Sequence, residues 1–184
     1  MHTSTKKYLS TGWGFAEATL FFILPDVLLS YFALDKKAKL LLLVLWALVG
    51  AIAGGLVMYY WGRILPEAAW QTVESVPAIN TELMNKVADQ LNQLGVASVI
   101  LGPFQGLPYK TYAAQASNAD IGIILFVIAS IVARLFRFLL IAYIARGVSV
   151  LLISHTALTK KGVMIIWFGS WSSIYIFYFL HFPS

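Results

Sequence analysis

Five long apolar segments occupy most of this 184-residue chain, at residues 13–34, 40–61, 96–117, 121–145 and 162–182. About 20 apolar residues in a helix cross the ~30 Å hydrocarbon core of a bilayer. Charged residues make up only 11% of the chain, whereas soluble domains carry about 25%. The sequence therefore predicts an all-α integral membrane protein, with residues 1–184 in a single membrane domain. Residues 40–61, 121–145 and 162–182 contain no helix-breaking proline and are predicted transmembrane helices.

The other two apolar segments are interrupted near their middles. Pro25 and Asp26 break residues 13–34, and Gly106 and Pro108 break residues 96–117, which include LGPFQGLPYKTYAAQAS. The arms on either side of each break are long enough to cross about half of a ~30 Å core. We therefore expect two re-entrant helical hairpins that enter from opposite sides, as in an inverted repeat, with tips at Pro25 and at Gly106–Pro108.

The basic residues indicate a topology through the positive-inside rule. If both broken segments turn back, one side carries many more basic residues than the other. These are Lys6, Lys7, Lys36, Lys37, Lys39, Arg146, Lys160 and Lys161, against Arg63 and Lys86. A chain in which all five segments span has a similar imbalance, so the arm lengths are the stronger argument for hairpins. The prediction is a bacterial inner-membrane protein with a cytoplasmic N-terminus, whose net charge of +5 reflects topology rather than a nucleic-acid partner.

Residues 80–94 have a different pattern, because Leu83, Val87 and Leu91 recur at helical spacing beside charged residues. This pattern predicts an amphipathic helix at the membrane interface. An ordinary loop helix fits the same residues.

Five charged residues fall at predicted membrane depth: Glu17, Asp26, Lys110, Arg134 and Arg137. Each costs about 2.5–3.5 kcal/mol at the bilayer centre, so such residues are usually paired or functional. One interpretation is that the two acids pair with two of the three cations and only hold the hairpins together. The other is that Lys110, Arg134 and Arg137 bind an anionic headgroup, for which arginine offers planar, bidentate donors. Glu17 and Asp26 would then act as proton carriers and gate, because a carboxyl group in a low dielectric binds a proton more readily.

Several chemistries have no support in the sequence. The chain has no cysteine, its three histidines lie far apart, and we find no nucleophile motif. We therefore expect no enzyme activity, metal or cofactor.

Three stretches resemble the DedA family of the VTT (SNARE-associated) membrane superfamily. They are EATLFFILPD at residues 17–26, YWGR at 60–63 and GVASVILGPFQGLPYKTYAAQAS at 95–117. The resemblance implies opposed re-entrant hairpins, essential acids at Glu17 and Asp26, and transport or scrambling of lipids, including polyprenyl-phosphate carriers. The chain departs from the family pattern at Pro103, where arginine is typical, and at Lys110, which also replaces an arginine.

The residues and the resemblance together predict a transporter or flippase for an anionic lipid phosphate, coupled to protons. Its partners would be that lipid and the bilayer, and a homo-oligomer is compatible with the sequence. The alternative is a scaffold subunit that transports nothing and whose buried charges are structural pairs.

Overall fold

The computed structural model describes residues 2–156 and 158–181, and within these residues every regular element is a helix. The α-helices are α1 (Thr3–Ala18), α2 (Pro25–Ala33), α3 (Leu40–Ile64), α4 (Pro66–Glu74), α5 (Thr81–Leu94), α6 (Val96–Leu101), α7 (Tyr109–Gln115), α8 (Ile123–His155) and α9 (Lys160–His181). A short 3₁₀ helix, Gly102–Gln105, follows α6.

Three of these helices, α3, α8 and α9, are long and apolar enough to cross a membrane. They correspond to the three predicted transmembrane segments. Helix α8 runs ten residues past the predicted end at residue 145, because the sequence there contains no proline and its one glycine, Gly147, costs only about 1 kcal/mol in a helix. The last predicted residue of the C-terminal segment, residue 182, lies outside the described residues.

The first interrupted segment forms a helix–break–helix unit, residues 3–33, which we call the first broken unit. The break occupies residues 19–24, and Pro25 begins α2 rather than standing at the tip. Proline is favoured at the first helical position because its missing N–H would have no partner there. Beyond α2, Asp35 Oδ2 lies 2.9 Å from Lys6 Nζ, so the chain leaves one end of the molecule and returns to it. We call this the N-terminal end.

The second broken unit, residues 96–115, consists of α6, the 3₁₀ helix and α7. Its helices are separated at residues 106–108, where Gly106 has φ +84° and Pro108 precedes α7. Glycine adopts this left-handed conformation without the steric cost of a Cβ atom. The turn residues predicted as a hairpin tip therefore lie in a break between two helices.

Both broken units pack against helix α3, and the glycines of α3 allow the backbones of α1 and α7 to come close to it. A Cβ atom on Gly50 would lie 1.9 Å from the carbonyl oxygen of Thr11 in α1. A Cβ atom on Gly62 would lie 1.8 Å from the carbonyl oxygen of Ala114 in α7. Small residues at these positions let backbones come into direct contact, so α1 lies along the first part of α3 and α7 along the last.

The two breaks meet beside the central part of α3. A Cβ atom on Gly54 would lie 2.9 Å from the Ala18 side chain, at the end of α1. A Cβ atom on the next residue, Gly55, would lie 2.3 Å from the hydroxyl of Tyr109, at the start of α7. The helix ends that flank the two breaks are therefore neighbours within a 25-residue helix that is about 37 Å long.

Helices α4 and α5 connect α3 to the second broken unit. Helix α5 coincides with the predicted amphipathic helix, and Asn80 caps it by accepting a hydrogen bond from the Leu83 amide at 2.9 Å. Its apolar side chains Met84 and Val87 are fully buried, so the protein covers that face. Helix α4 was not predicted, although Pro66 and Glu67 are typical of a helix start.

Candidate functional site

The five charged residues singled out from the sequence converge between the broken units and α8. Arg134 Nη2 lies 2.8 Å from Glu17 Oε2, and Arg137 Nε lies 2.7 Å from Asp26 Oδ2. Lys110 Nζ donates to the carbonyl oxygen of Phe21, in the first break, at 2.7 Å. Each acid therefore has an arginine partner, and the lysine has a neutral one.

These contacts tie the two broken units to each other. Arg137 also donates from Nη1 to the carbonyl oxygen of Pro103 at 3.1 Å, so one guanidinium from α8 joins Asp26 in the first unit to Pro103 in the second. Lys110 makes a second connection, from α7 back to residue 21. The carbonyl oxygen of Phe21 lies in a helix break and has a free lone pair, which explains why Lys110 binds backbone rather than an acid.

Four of the five charged residues are almost completely buried. Glu17, Asp26 and Arg134 are each 1% exposed and Lys110 is 2% exposed, while the Arg137 side chain is 21% exposed. Buried charges are tolerated only when they are paired. A formal count of three cations and two acids leaves one excess positive charge in the cluster.

Arg134 has hydrogen-bonding capacity left over. Its Nε and Nη2 atoms have no hydrogen-bond partner in the described residues, although Nη2 contacts Glu17 as an ion pair. The guanidinium carbon lies 4.0 Å from the centroid of the Tyr109 ring, within the distance for a cation–π interaction. Tyr109 is in turn fixed by donating to Ser130 Oγ at 2.8 Å. The arginine is thus oriented by the ring and by Glu17, while its Nε remains without a partner among the described residues.

A cavity of about 220 Å³ lies against this cluster. Four of the predicted charged residues line it, namely Glu17, Lys110, Arg134 and Arg137. The turn residues Gly106 and Pro108 also line it. Asp26 reaches the cavity only through its ion pair with Arg137. The remaining lining residues come mostly from the first break, the α4–α5 linker and α9.

Sequence reasoning missed the way α9 is attached to this site. Both Trp167 and Trp171 donate from Nε1 to the hydroxyl of Ser30 in α2, each at 2.9 Å. The amide of Leu24 donates to the hydroxyl of Tyr175 at 2.9 Å. No signal in the aromatic-rich segment distinguishes these side chains from those that face lipid, so only the structure identifies them.

The fold and this buried polar cluster define an α-helical integral membrane protein with three candidate membrane-spanning helices in the described residues. A Haemophilus influenzae protein described as uncharacterised is 28% identical over 131 residues, which cover 71% of this chain and 67% of that protein. No protein-family model matches the chain. No solved structure matches it significantly.

Proposed function

We propose that this protein is a transporter or flippase for an anionic lipid phosphate, of the type found in the DedA family. The observation that carries the proposal is the cavity beside Arg134. The Nε atom of this buried guanidinium has no hydrogen-bond partner in the described residues, its Nη2 is shared only with Glu17, and Lys110 lines the same cavity. Planar, multiple donors of this kind match the geometry of a phosphate group.

The broken units support the re-entrant part of the proposal. Their helices meet beside the middle of α3 at Gly54 and Gly55. The first unit starts and ends at the N-terminal end of the molecule. In our proposal, residues 13–34 and 96–117 are re-entrant hairpins whose breaks lie near the bilayer midplane. Non-helical backbone is tolerated there when protein or a polar cavity surrounds it.

Glu17 and Asp26 would couple this transport to protons. Each acid pairs with one arginine, so a proton on Glu17 removes the charge that holds Arg134. The freed guanidinium then binds a phosphate more strongly. Loss of the proton restores the ion pair and favours release, which makes the two acids the gate of the cycle.

The proposed orientation has the N-terminal end in the cytoplasm of a bacterial inner membrane. Lys6 and Arg146 both lie at that end, where Arg146 binds the loop that follows α2. Three further lysines, Lys36, Lys37 and Lys39, are in this loop. A concentration of basic residues is typical of cytoplasmic loops.

A scaffold subunit is the second candidate, and the two ion pairs favour it. If Arg134 and Arg137 serve only to neutralise Glu17 and Asp26, the charges hold the broken units together and move nothing. The two functions differ in whether the purified protein alone transfers lipid.

The deciding experiment is a flipping assay in proteoliposomes. It uses a labelled phosphatidic acid and a labelled polyprenyl phosphate, with and without a pH gradient. Wild type is compared with Glu17→Gln, Arg134→Lys and the exchanged pair Glu17→Arg/Arg134→Glu. The exposed pair Glu82→Gln/Lys86→Gln in α5 is the matched control for a change in charge.

We expect wild type and the control to transfer lipid, and Glu17→Gln to lose the dependence on pH. The exchanged pair keeps opposite charges together but moves the guanidinium from α8 to α1, so it should fold without restoring transfer. If wild type moves neither lipid, the scaffold function replaces the transporter. Unchanged pH dependence in a folded Glu17→Gln variant would refute the proton role.

A further inference from the structure

The lining of the cavity beside Arg134 has two chemically different parts, which we call its charged end and its apolar end. Charged side chains from Glu17, Lys110 and Arg134 form one end. The other end is apolar, and Phe22 from the first break and Ile174 and Phe179 from α9 contribute to it. A ligand that fills both ends must therefore carry an anionic group and a hydrocarbon group close together.

The apolar end reaches the outer surface of the protein. Phe22 is 39% exposed, Ile174 52% and Phe179 37%, although all three also line the cavity. Helix α9 is one of the three candidate membrane-spanning helices in the described residues, and only 6% of its apolar stretch is buried inside the protein. The exposed side of a membrane-spanning helix contacts lipid, so the apolar end of the cavity borders the hydrocarbon of the bilayer.

The wall of the cavity on the side of the α4–α5 linker is mostly buried. Val76 and Ile79 line the cavity there and are only 5% and 3% exposed, although Pro77 between them is exposed. The exposed large apolar side chains of the lining belong instead to the first break and to α9. Entry between these two elements is therefore the more apolar route.

The cavity is too small to enclose a whole lipid. Its volume of about 220 Å³ lies below the ~300–1,000 Å³ of sites that enclose drug-sized ligands. A headgroup and the first atoms of a chain fit such a volume, and the rest of the hydrocarbon has to remain outside.

From these observations we infer that the seam between Phe22 and Phe179 is a lateral entrance for a phosphate amphiphile. Its phosphate binds Arg134 and Lys110 while its hydrocarbon chain stays in the bilayer. This inference rests on the lipid-phosphate site of the proposed function and adds the route of entry. It also excludes free inorganic phosphate as the natural ligand.

The contacts across the seam are consistent with an entrance that opens. The Phe22 and Phe179 rings meet edge to face with their centroids 5.9 Å apart, and no backbone hydrogen bond crosses at that point in the described residues. Three polar attachments of α9, at Trp167, Trp171 and Tyr175, lie further toward the start of that helix. Separation of the two rings would open the cavity while those attachments remain.

Covalent closure of the seam tests the inference, and the absence of natural cysteines makes it clean. Phe22→Cys/Phe179→Cys is joined by a reducible bifunctional thiol reagent in liposomes that contain a photoactivatable phosphatidic acid. The readout is covalent labelling of the protein by that lipid after illumination, followed by mapping of the labelled peptides. This readout requires entry of the lipid but no transport.

A second pair of phenylalanines provides the matched control. Phe104 and Phe136 also meet edge to face, with centroids 5.8 Å apart and side chains 48% and 59% exposed. Neither residue lines the cavity. Phe104→Cys/Phe136→Cys therefore carries the same reagent over a similar distance without closing the seam.

We expect labelling in residues 19–24 and α9 in wild type and in the control pair. Cross-linking of Phe22→Cys/Phe179→Cys should abolish this labelling, and reduction should restore it. Unlabelled phosphatidic acid should compete, whereas inorganic phosphate at the same concentration should not. If the pair is not labelled even before cross-linking, Ile174→Cys modified with a bulky maleimide should block labelling relative to the unmodified variant.

Three results would overturn the lateral entrance. They are undiminished labelling after closure, equal competition by inorganic phosphate, and no labelling of wild type in the cavity. The flipping assay fails separately from this experiment. A protein that is labelled through the seam but flips no lipid would retain the entrance and lose the transport function.

Discussion

Arg134 in α8 and Glu17 in α1 form an ion pair of 2.8 Å, with both side chains at most 2% exposed. The two side chains are in direct contact although their helices, α1 and α8, are far apart in the sequence. It defines the centre of the charged cluster, because Tyr109 and the cavity both lie against Arg134.

The first prediction concerns the stability of this pair. Glu17→Gln and Arg134→Gln should each destabilise the protein by about 3–5 kcal/mol, because each leaves a buried charge without its partner. The double variant should cost clearly less than the two single variants together. Unfolding in detergent micelles, followed by circular dichroism, measures all four proteins.

An exposed pair serves as the control for this cycle. Glu82 and Lys86 lie one turn apart on the exposed face of α5, where such pairs contribute about 0.2–0.5 kcal/mol. Additive effects of Glu17→Gln and Arg134→Gln would mean that the observed contact carries no coupling.

The second prediction uses two neighbouring glycines of α1. A Cβ atom on Gly14 would lie 2.2 Å from the carbonyl oxygen of Ala47, whereas one on Gly12 meets nothing within 4 Å. Gly14→Ala should therefore push α1 away from α3 and destabilise the protein by about 1–3 kcal/mol or more. Gly12→Ala should stabilise it by up to about 1 kcal/mol, because alanine is the better helix former. Equal melting temperatures for the two variants would contradict the observed packing of α1 on α3.

Much of this architecture follows from patterns that the sequence displays directly. Apolar segments without proline became α3, α8 and α9, because each is both long and uninterrupted enough to form a helix of membrane-spanning length. The small residues around Gly50 and Gly54 predict close helix packing, because they let two backbones approach each other. The helix that packs against them is α1. The buried charges were identifiable because charge within an apolar segment is rare.

Partners and exact boundaries could not be predicted. Nothing in the sequence assigns Glu17 to Arg134 rather than to Arg137 or Lys110, since the choice depends on the rotation of α8 about its axis. Ser30 shows the same limitation, because its role arises from two tryptophans of a helix distant in sequence. The break between α1 and α2 lies at residues 19–24, and Pro25, expected at a hairpin tip, is the first residue of α2, because proline begins a helix more readily than it continues one.

The third prediction tests how α9 is held. Ser30 Oγ accepts from both Trp167 and Trp171 and donates to the carbonyl oxygen of Val27 at 3.0 Å. Ser30→Ala leaves two partly buried indole N–H groups without an acceptor, at about 1–3 kcal/mol for each. We expect a lower melting temperature and a shifted tryptophan emission.

Ser170→Ala is the control for that substitution. Ser170 lies in α9 between the two tryptophans, and its hydroxyl donates only to the carbonyl oxygen of Ile166 in its own helix. Its removal should leave the tryptophan emission unchanged and should change the free energy of unfolding by no more than about 0.5 kcal/mol. Indistinguishable spectra for Ser30→Ala and wild type would show that Ser30 does not fix the tryptophans.

The fourth prediction concerns the loop between α2 and α3. Arg146 donates to four carbonyl oxygens there, those of Ala33, Asp35, Lys36 and Ala38, at 2.7–3.2 Å. Arg146→Lys keeps the charge but cannot reproduce the fork of donors. Trypsin should therefore cleave after Lys36 or Lys37 faster in this variant than in wild type, as measured by mass spectrometry of the fragments. Arg63→Lys, at an exposed position at the other end of α3, should leave the cleavage rate at this loop unchanged. An unchanged rate in Arg146→Lys would show that the four hydrogen bonds of Arg146 do not hold the loop.

The fifth prediction addresses the orientation in the membrane. Lys37 lies in the loop at the N-terminal end, Glu67 lies in α4 after the opposite end of α3, and Thr159 precedes α9. All three side chains are exposed, so single cysteines at these positions are accessible to an impermeant maleimide. If the N-terminal end is cytoplasmic, intact cells should label Glu67→Cys alone, and permeabilised cells should label all three. Labelling of Lys37→Cys and Thr159→Cys from opposite sides would contradict the orientation of α8, which returns the chain to the end where Arg146 binds the α2–α3 loop. Labelling of both positions from outside would instead show that the N-terminal end faces away from the cytoplasm. Glu17 and Asp26 would then have to receive protons from the cytoplasm through the second broken unit.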